Sequence, residues 1–124
     1  MTPDPLADLL GLGRAYRSWA LTNPHLFGVI FGGALGGFVP SENQLNEANL
    51  TMQPLNRAVE RGLRAELLVG PAEAIAFGCW AGVHGYVTLV LAGPCEEPGD
   101  KAFDAILAAT IRGWAAPQGR QRIG

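Results

Sequence analysis

The sequence predicts an all-α fold, a bundle of about five helices whose last two long helices form a four-helix-bundle dimer interface. Three observations carry the fold class. Apolar residues recur at three- and four-residue steps in several stretches, the period of a helix face. Helix start and stop signals punctuate those stretches: Asn23-Pro24, Ser41 followed by Gln44, and Gly93-Pro94. No alternating apolar and polar run long enough for a strand occurs, and no internal repeat.

The first helix is expected from Asp4 to about Thr22. Leu6, Leu9, Leu10, Gly13, Tyr16 and Ala20 share one face, and Asp8, Arg14 and Arg17 take the other. Asn23 is a good N-cap and Pro24 a good first helical residue, so a short second helix starts there. It carries Leu26, Phe27, Ile30 and Phe31 and ends at Gly32-Gly33. The stretch GGALGGFVP that follows lacks the glycine order of a phosphate cradle and reads as a flexible connector.

Ser41 and Gln44 fit a capping box. The helix they open is expected to reach about Arg61, with Ala48, Met52, Leu55 and Val59 on one face, a kink at Pro54 and Gly62 as its C-cap. Pro71 opens the longest helix, which ends near Ala92 and spans ~33 Å. Asp100 caps the last one, which runs to about Trp114 with Phe103, Ile106, Leu107, Thr110, Ile111 and Trp114 as its apolar stripe. Residues 1–115 are expected to form the domain and residues 116–124 a flexible tail.

Composition excludes several function classes. Nine Lys and Arg against eleven Asp and Glu leave no basic excess to hold phosphates, so specific duplex binding by these residues is not expected. Cys79 and Cys95 form no CxxC pair and read as free thiols of a reducing cytosol. The N-terminus has no basic region and no cleavage pattern of a signal peptide. Ala74 to Gly93 is an uncharged stretch of bilayer length. Its glycines, His84 and its acidic C-terminal flank argue against a membrane span.

WAGVHGYVTLVLAG, residues 80–93, is the informative segment. On a helical wheel Phe77, Trp80, His84, Val87 and Leu91 share one side, and Ile75, Cys79, Val83, Tyr86 and Val90 a second. Gly78, Gly82, Gly85 and Leu89 form a third. A helix apolar on every side is buried on every side. A domain of this size cannot surround one helix alone, and the glycine side suits the close approach of another helix from a symmetric partner. His84 has no nucleophile or acid partner in view, so no catalytic role is expected. His25 is the only other histidine, too few ligands for a metal. Two readings of His84 stay open: a core histidine with a satisfied hydrogen bond, or the polar handle of an apolar pocket beside Trp80.

LGRAYRSWALTNPHLFGVIFGG resembles the start of the C-terminal regulatory domain of TetR-family repressors. WAGVHGYVTLVLAG is similar to the Trp-x-x-x-His-Gly motif of its WHG-type subgroup, MQPLNRAVERGL to the middle helix and FDAILAATIRGW to the last. The resemblance runs from about Pro5 to Trp114. It implies an effector-binding and dimerisation domain of a cytoplasmic transcription regulator, with no enzymatic activity and no cofactor. The segments 71–92 and 100–114 would pair with their mates across a two-fold axis, and a small apolar effector would bind among the preceding helices. No basic recognition helix lies in residues 1–40. Operator DNA would therefore be read only through an N-terminal helix-turn-helix domain that these residues lack. The alternative is a stand-alone dimerising module that sequesters a partner regulator.

The expected ligand contacts are Trp19, Asn23, Phe27, Phe31, Met52, Leu55, Trp80 and His84, large or polar-tipped residues on helices that would surround one cavity. The same set would equally serve as plain core. The expected homodimer contacts are Gly78, Gly82, Gly85, Leu89, Ala105, Ala108, Ala109 and Arg112.

Overall fold

The computed structural model describes residues 2–31, 42–93 and 96–123, with the side chains of all but 29 and 42–51. The glycine-rich connector of 32–40, the capping box at Ser41, the side chain of Ala48 and the thiol of Cys95 lie outside the described residues. Six helices are described: α1 Pro5–Thr22, α2 Pro24–Phe31, α3 Glu42–Arg64, α4 Ala72–Leu91, α5 Asp100–Gly113 and α6 Pro117–Ile123. An isolated antiparallel bridge joins Leu68 to Ala115, and no strand occurs among the described residues. The all-α class expected from the sequence is the class observed.

α1 starts where its sequence dictates. Asp4, in extended conformation, accepts hydrogen bonds from the backbone N–H groups of Leu6 and Ala7, and Pro5 occupies the first turn. Leu6, Leu9, Gly13 and Ala20 are buried on its inner face. Gly13 is there for room, because a Cβ would run into the Leu107 side chain of α5. Asp8 and Arg17 were expected on the face opposite the apolar one, with no partners named. They are half-buried and paired, Asp8 with Arg61 and Arg17 with Glu97 and Asp100.

Three helix boundaries and one helix length differ from expectation. Asn23 does not cap α2 with its side chain; its amide donates to the Trp19 carbonyl at 2.9 Å and closes α1 instead. α3, not the helix after Pro71, is the longest described, at 23 residues against 20. It runs through both Pro54 and Gly62 to Arg64. Its end is a Schellman motif: Leu67 N–H bonds the Gly62 carbonyl, Glu66 N–H bonds that of Leu63, and Glu66 holds a φ of 59°. Gly62 serves packing, since a Cβ there would lie 2.6 Å from Leu68 Cδ1. Gly99, at a φ of 100°, precedes α5 as its cap, and Asp100 is the first helical residue, its carboxylate turned to Arg17.

The expected tail carries a helix. α6 spans Pro117–Ile123, with Gly119 buried against the Leu67 backbone. Ala116 N–H bonds the Leu67 carbonyl at 2.9 Å and Val69 N–H bonds that of Trp114 at 2.8 Å, tying the α3–α4 turn to the α5–α6 turn.

α4 is the core helix. Ile75, Ala76, Cys79, Val83, Tyr86 and Val87 are buried on its inner side. α1, α3 and α5 pack around that side, contributing Leu6, Leu9, Ala58, Val59, Phe103, Leu107 and Ile111 to one cluster. By length and composition α4 is apolar enough to cross a membrane, and about a third of it is buried in this core.

Candidate functional site

Five rings gather where α1, α2 and α4 meet. Tyr16 comes from α1, Phe27 and Phe31 from α2, and Trp80 and His84 from α4. Helical spacing explains two of these pairs, because residues four apart stack on one face: Phe27 on Phe31 at 5.1 Å between centroids, Trp80 on His84 at 5.2 Å. Across elements, Phe31 stands edge-on to His84 at 5.0 Å, Phe27 lies 5.2 Å from it and Tyr16 6.3 Å. His84 is thus the hub, touched by all four other rings.

The hub is polar and partnered. The Tyr16 hydroxyl and His84 Nδ1 are 2.8 Å apart. Burial pushes the Tyr16 phenol up to about 12, while a hydrogen bond from the Trp80 indole pulls it the other way. Burial also lowers the His84 pKa below its ordinary 6.5, so the imidazole is neutral at pH 7. The open question of the sequence is answered in part: His84 is a hydrogen-bonded histidine within an aromatic cluster, and half-buried rather than sealed in the core.

Of the expected ligand contacts, Phe27, Phe31, Trp80 and His84 come together. Trp19 stands at the margin, 36% exposed and reached through Tyr16 at 6.4 Å. Asn23 is engaged in closing α1. Met52 and Leu55 are half-buried on α3, Leu55 against the common core. Tyr16 is the member that sequence reasoning placed only on an apolar face. Its signal was present, because a phenol on an inward stripe needs a polar partner and His84 needed one too.

A second feature is the outer side of α4 and α5. Phe77 is 64% exposed, Leu89 56% and Ile106 45%, and Ala74, Ala81, Ala105 and Ala109 are exposed between them. Ile106 corrects the sequence reading, which had put it in the core stripe, whereas Phe77 keeps the Trp80 side, edge-on to that ring at 6.0 Å, yet is exposed. Among the expected dimer contacts, Leu89, Ala105, Ala109 and Arg112 are exposed, and Gly78, Gly82, Gly85 and Ala108 are half-buried. Gly78 and Gly82 face α5 of their own chain, with virtual Cβ positions 3.7 Å from Trp114 Nε1 and from Thr110 Oγ1. Gly85 has nothing within 4 Å of its own.

Other chemistry is sparse. The buried Cys79 thiol is pushed up to about 11 by its apolar surroundings, which leaves it protonated and unreactive. Among the described residues no three His, Cys, Asp or Glu side chains stand close enough to hold a metal ion. Arg17 is sandwiched between ion pairs and rings, 5.0 Å over Phe103 and 5.8 Å from Tyr86, and Tyr86 donates to Glu97 at 3.0 Å. This network fastens α1 to the start of α5.

A family model described as "Tetracyclin repressor-like, C-terminal domain" matches residues 9–113. No curated protein and no solved structure matches the chain.

Proposed function

Because the chain belongs to the family of tetracyclin repressor-like C-terminal domains, we propose that it is the effector-binding and dimerisation domain of a cytoplasmic transcription regulator, of the WHG type given Trp80, His84 and Gly85. Domains of this family generally dimerise and bind small-molecule effectors. One observation carries the effector part: a cluster of four aromatic side chains around a single neutral imidazole, set between α1, α2 and α4. Apolar walls with one polar handle are how small-molecule sites are built. DNA reading is assigned to a helix-turn-helix domain outside these residues, since their net charge of −2 gives no phosphate-holding surface.

The exposed apolar strip of Phe77, Leu89 and Ile106 supports a homodimer through α4 and α5. Thermal-shift screening with small apolar compounds tests the effector reading. Compounds that raise the melting temperature of the wild type and not of Trp80→Ala are expected. A library without hits, or hits indifferent to Trp80→Ala, would overturn it. Light scattering at micromolar concentration tests the dimer, and a monomeric mass ends that part of the proposal.

A further inference from the structure

The aromatic cluster is closed upon itself. Phe31 lies 5.0 Å from His84 and 6.1 Å from Trp80 between centroids, direct contact that leaves no room for another ring. Phe31 is the last residue of the eight-residue α2 and is half-buried, whereas Phe27 one turn earlier is only 6% exposed. The ring most easily withdrawn is therefore the one that covers both Trp80 and His84.

One hydrogen bond lies beneath it, between the Tyr16 hydroxyl and His84 Nδ1, 2.8 Å apart, here with the phenol as donor. A neutral imidazole that accepts at Nδ1 carries its proton on Nε2. The one remaining polar function of the hub is thus a donor, not an acceptor. None of the five side chains carries a charge at pH 7, so an ionised ligand would lose its hydration against them without a counter-ion.

We propose that Phe31 is a plug, and that the site beneath it takes a neutral aromatic molecule bearing one hydrogen-bond acceptor. The ligand's ring replaces that of Phe31 against Trp80 and His84, and its acceptor receives the His84 Nε2 hydrogen. This rests on the effector-binding reading above and adds the ligand's class and the residue that yields to it.

Three probes of one shape separate the terms: acetophenone, ethylbenzene and benzoate, titrated calorimetrically into the wild type, Phe31→Ala and His84→Phe. Phe31→Leu is the companion variant should Phe31→Ala not fold. Removing the plug is expected to tighten acetophenone binding at least ~10-fold, a ring's contact area no longer having to be displaced. Acetophenone is expected to exceed ethylbenzene by up to ~10-fold, the worth of one neutral hydrogen bond, with benzoate weakest. His84→Phe should level the first two. Long-range proton–nitrogen spectra of the His84 ring should show Nε2 protonated, and shifted by acetophenone and not by ethylbenzene. Ethylbenzene equal to acetophenone, benzoate strongest, a proton on Nδ1, or weaker binding in both Phe31 variants each overturn the proposal. If the library screen nevertheless yields Trp80-dependent hits, the effector reading stands and the ligand class alone falls. If no probe binds and the screen is empty, both fall together.

Discussion

A phenol and an imidazole held 2.8 Å apart by helices 68 residues distant in sequence illustrate what one residue decides here. Tyr16→Phe keeps the ring and its contacts but leaves His84 Nδ1 without its partner. The expected loss is about 1–2 kcal/mol, seen as a melting temperature lowered by ~5 °C. An unchanged melting temperature would mean that water replaces the hydroxyl without cost. Asp8 offers a test in acid. Its hydrogen bonds to the Arg61 guanidinium, at 2.5 Å, and to Thr2 hold its carboxyl down at about 2, against an ordinary 3.8. A carboxyl whose folded pKa is depressed adds stability that is present above 3.8 and is lost as the pH falls toward 2. Asp8→Asn should therefore lower stability at neutral pH and flatten the acid limb between pH 4 and 2 in urea titrations. A parallel limb would show that the pair contributes nothing. The contact of Trp80 with His84 was legible because i, i+4 spacing is local. The Tyr16 and Arg61 partnerships were not, because nothing in a single sequence states which inward phenol meets which imidazole.

Helix spans were read to within a few residues and the residues that cap them were not, and the reason is physical. Periodicity reports a buried face over many residues, whereas an end is set by one residue whose type serves several purposes. Gly62 was read as a cap because glycine suits the left-handed position, yet it is needed to admit the Leu68 side chain. The left-handed position fell to Glu66, at a φ of 59°. A non-glycine residue there costs about 1–2 kcal/mol, so Glu66→Gly should stabilise the chain by about 1 kcal/mol in denaturant titrations. No gain, or a loss, would show that the Glu66 side chain contributes what the backbone forfeits. The C-terminal segment was read as a tail because it is short and polar. What fixes it as α6 is a steric fit without a sequence period, Gly119 packed against the Leu67 carbonyl. Gly119→Ala has no flexible neighbour to push aside. It should detach α6, and with it the Arg122–Asp4 pair, and speed amide exchange across 117–123. Exchange like that of the wild type would mean that the backbone shifts to accept the methyl.

At the scale of the whole molecule, α4 packs one side into the core and leaves the other bare. The sequence showed that the helix was too apolar for one chain to cover, and this was sound. It placed Gly85 and Leu89 in that surplus but Gly78 and Gly82 as well, because on a wheel without charges no residue marks the outward direction. The structure marks it: Ala74, Phe77, Ala81 and Leu89 point away from the core, with Gly85 among them. Of the expected contacts, Gly82 already faces Thr110 of its own chain and Gly85 faces nothing, so Gly85 is the place to test the homodimer. In a lone chain Gly85→Ala should be stabilising by roughly 0.5–1 kcal/mol, the ordinary gain of replacing glycine within a helix. Gly85→Leu should also be accommodated, with helix content unchanged by circular dichroism. If α4 and α5 meet their mates across a two-fold axis at the usual ~8–10 Å between helix axes, a leucine at position 85 fills a contact with no room to relax and the dimer dissociates. The expected outcome is therefore a split result: light scattering falls to the mass of one chain while the melting curve of the isolated fold stays cooperative. A Gly85→Leu chain that keeps a dimeric mass would place the interface on another surface, and the exposure of Phe77, Leu89 and Ile106 would need a different partner.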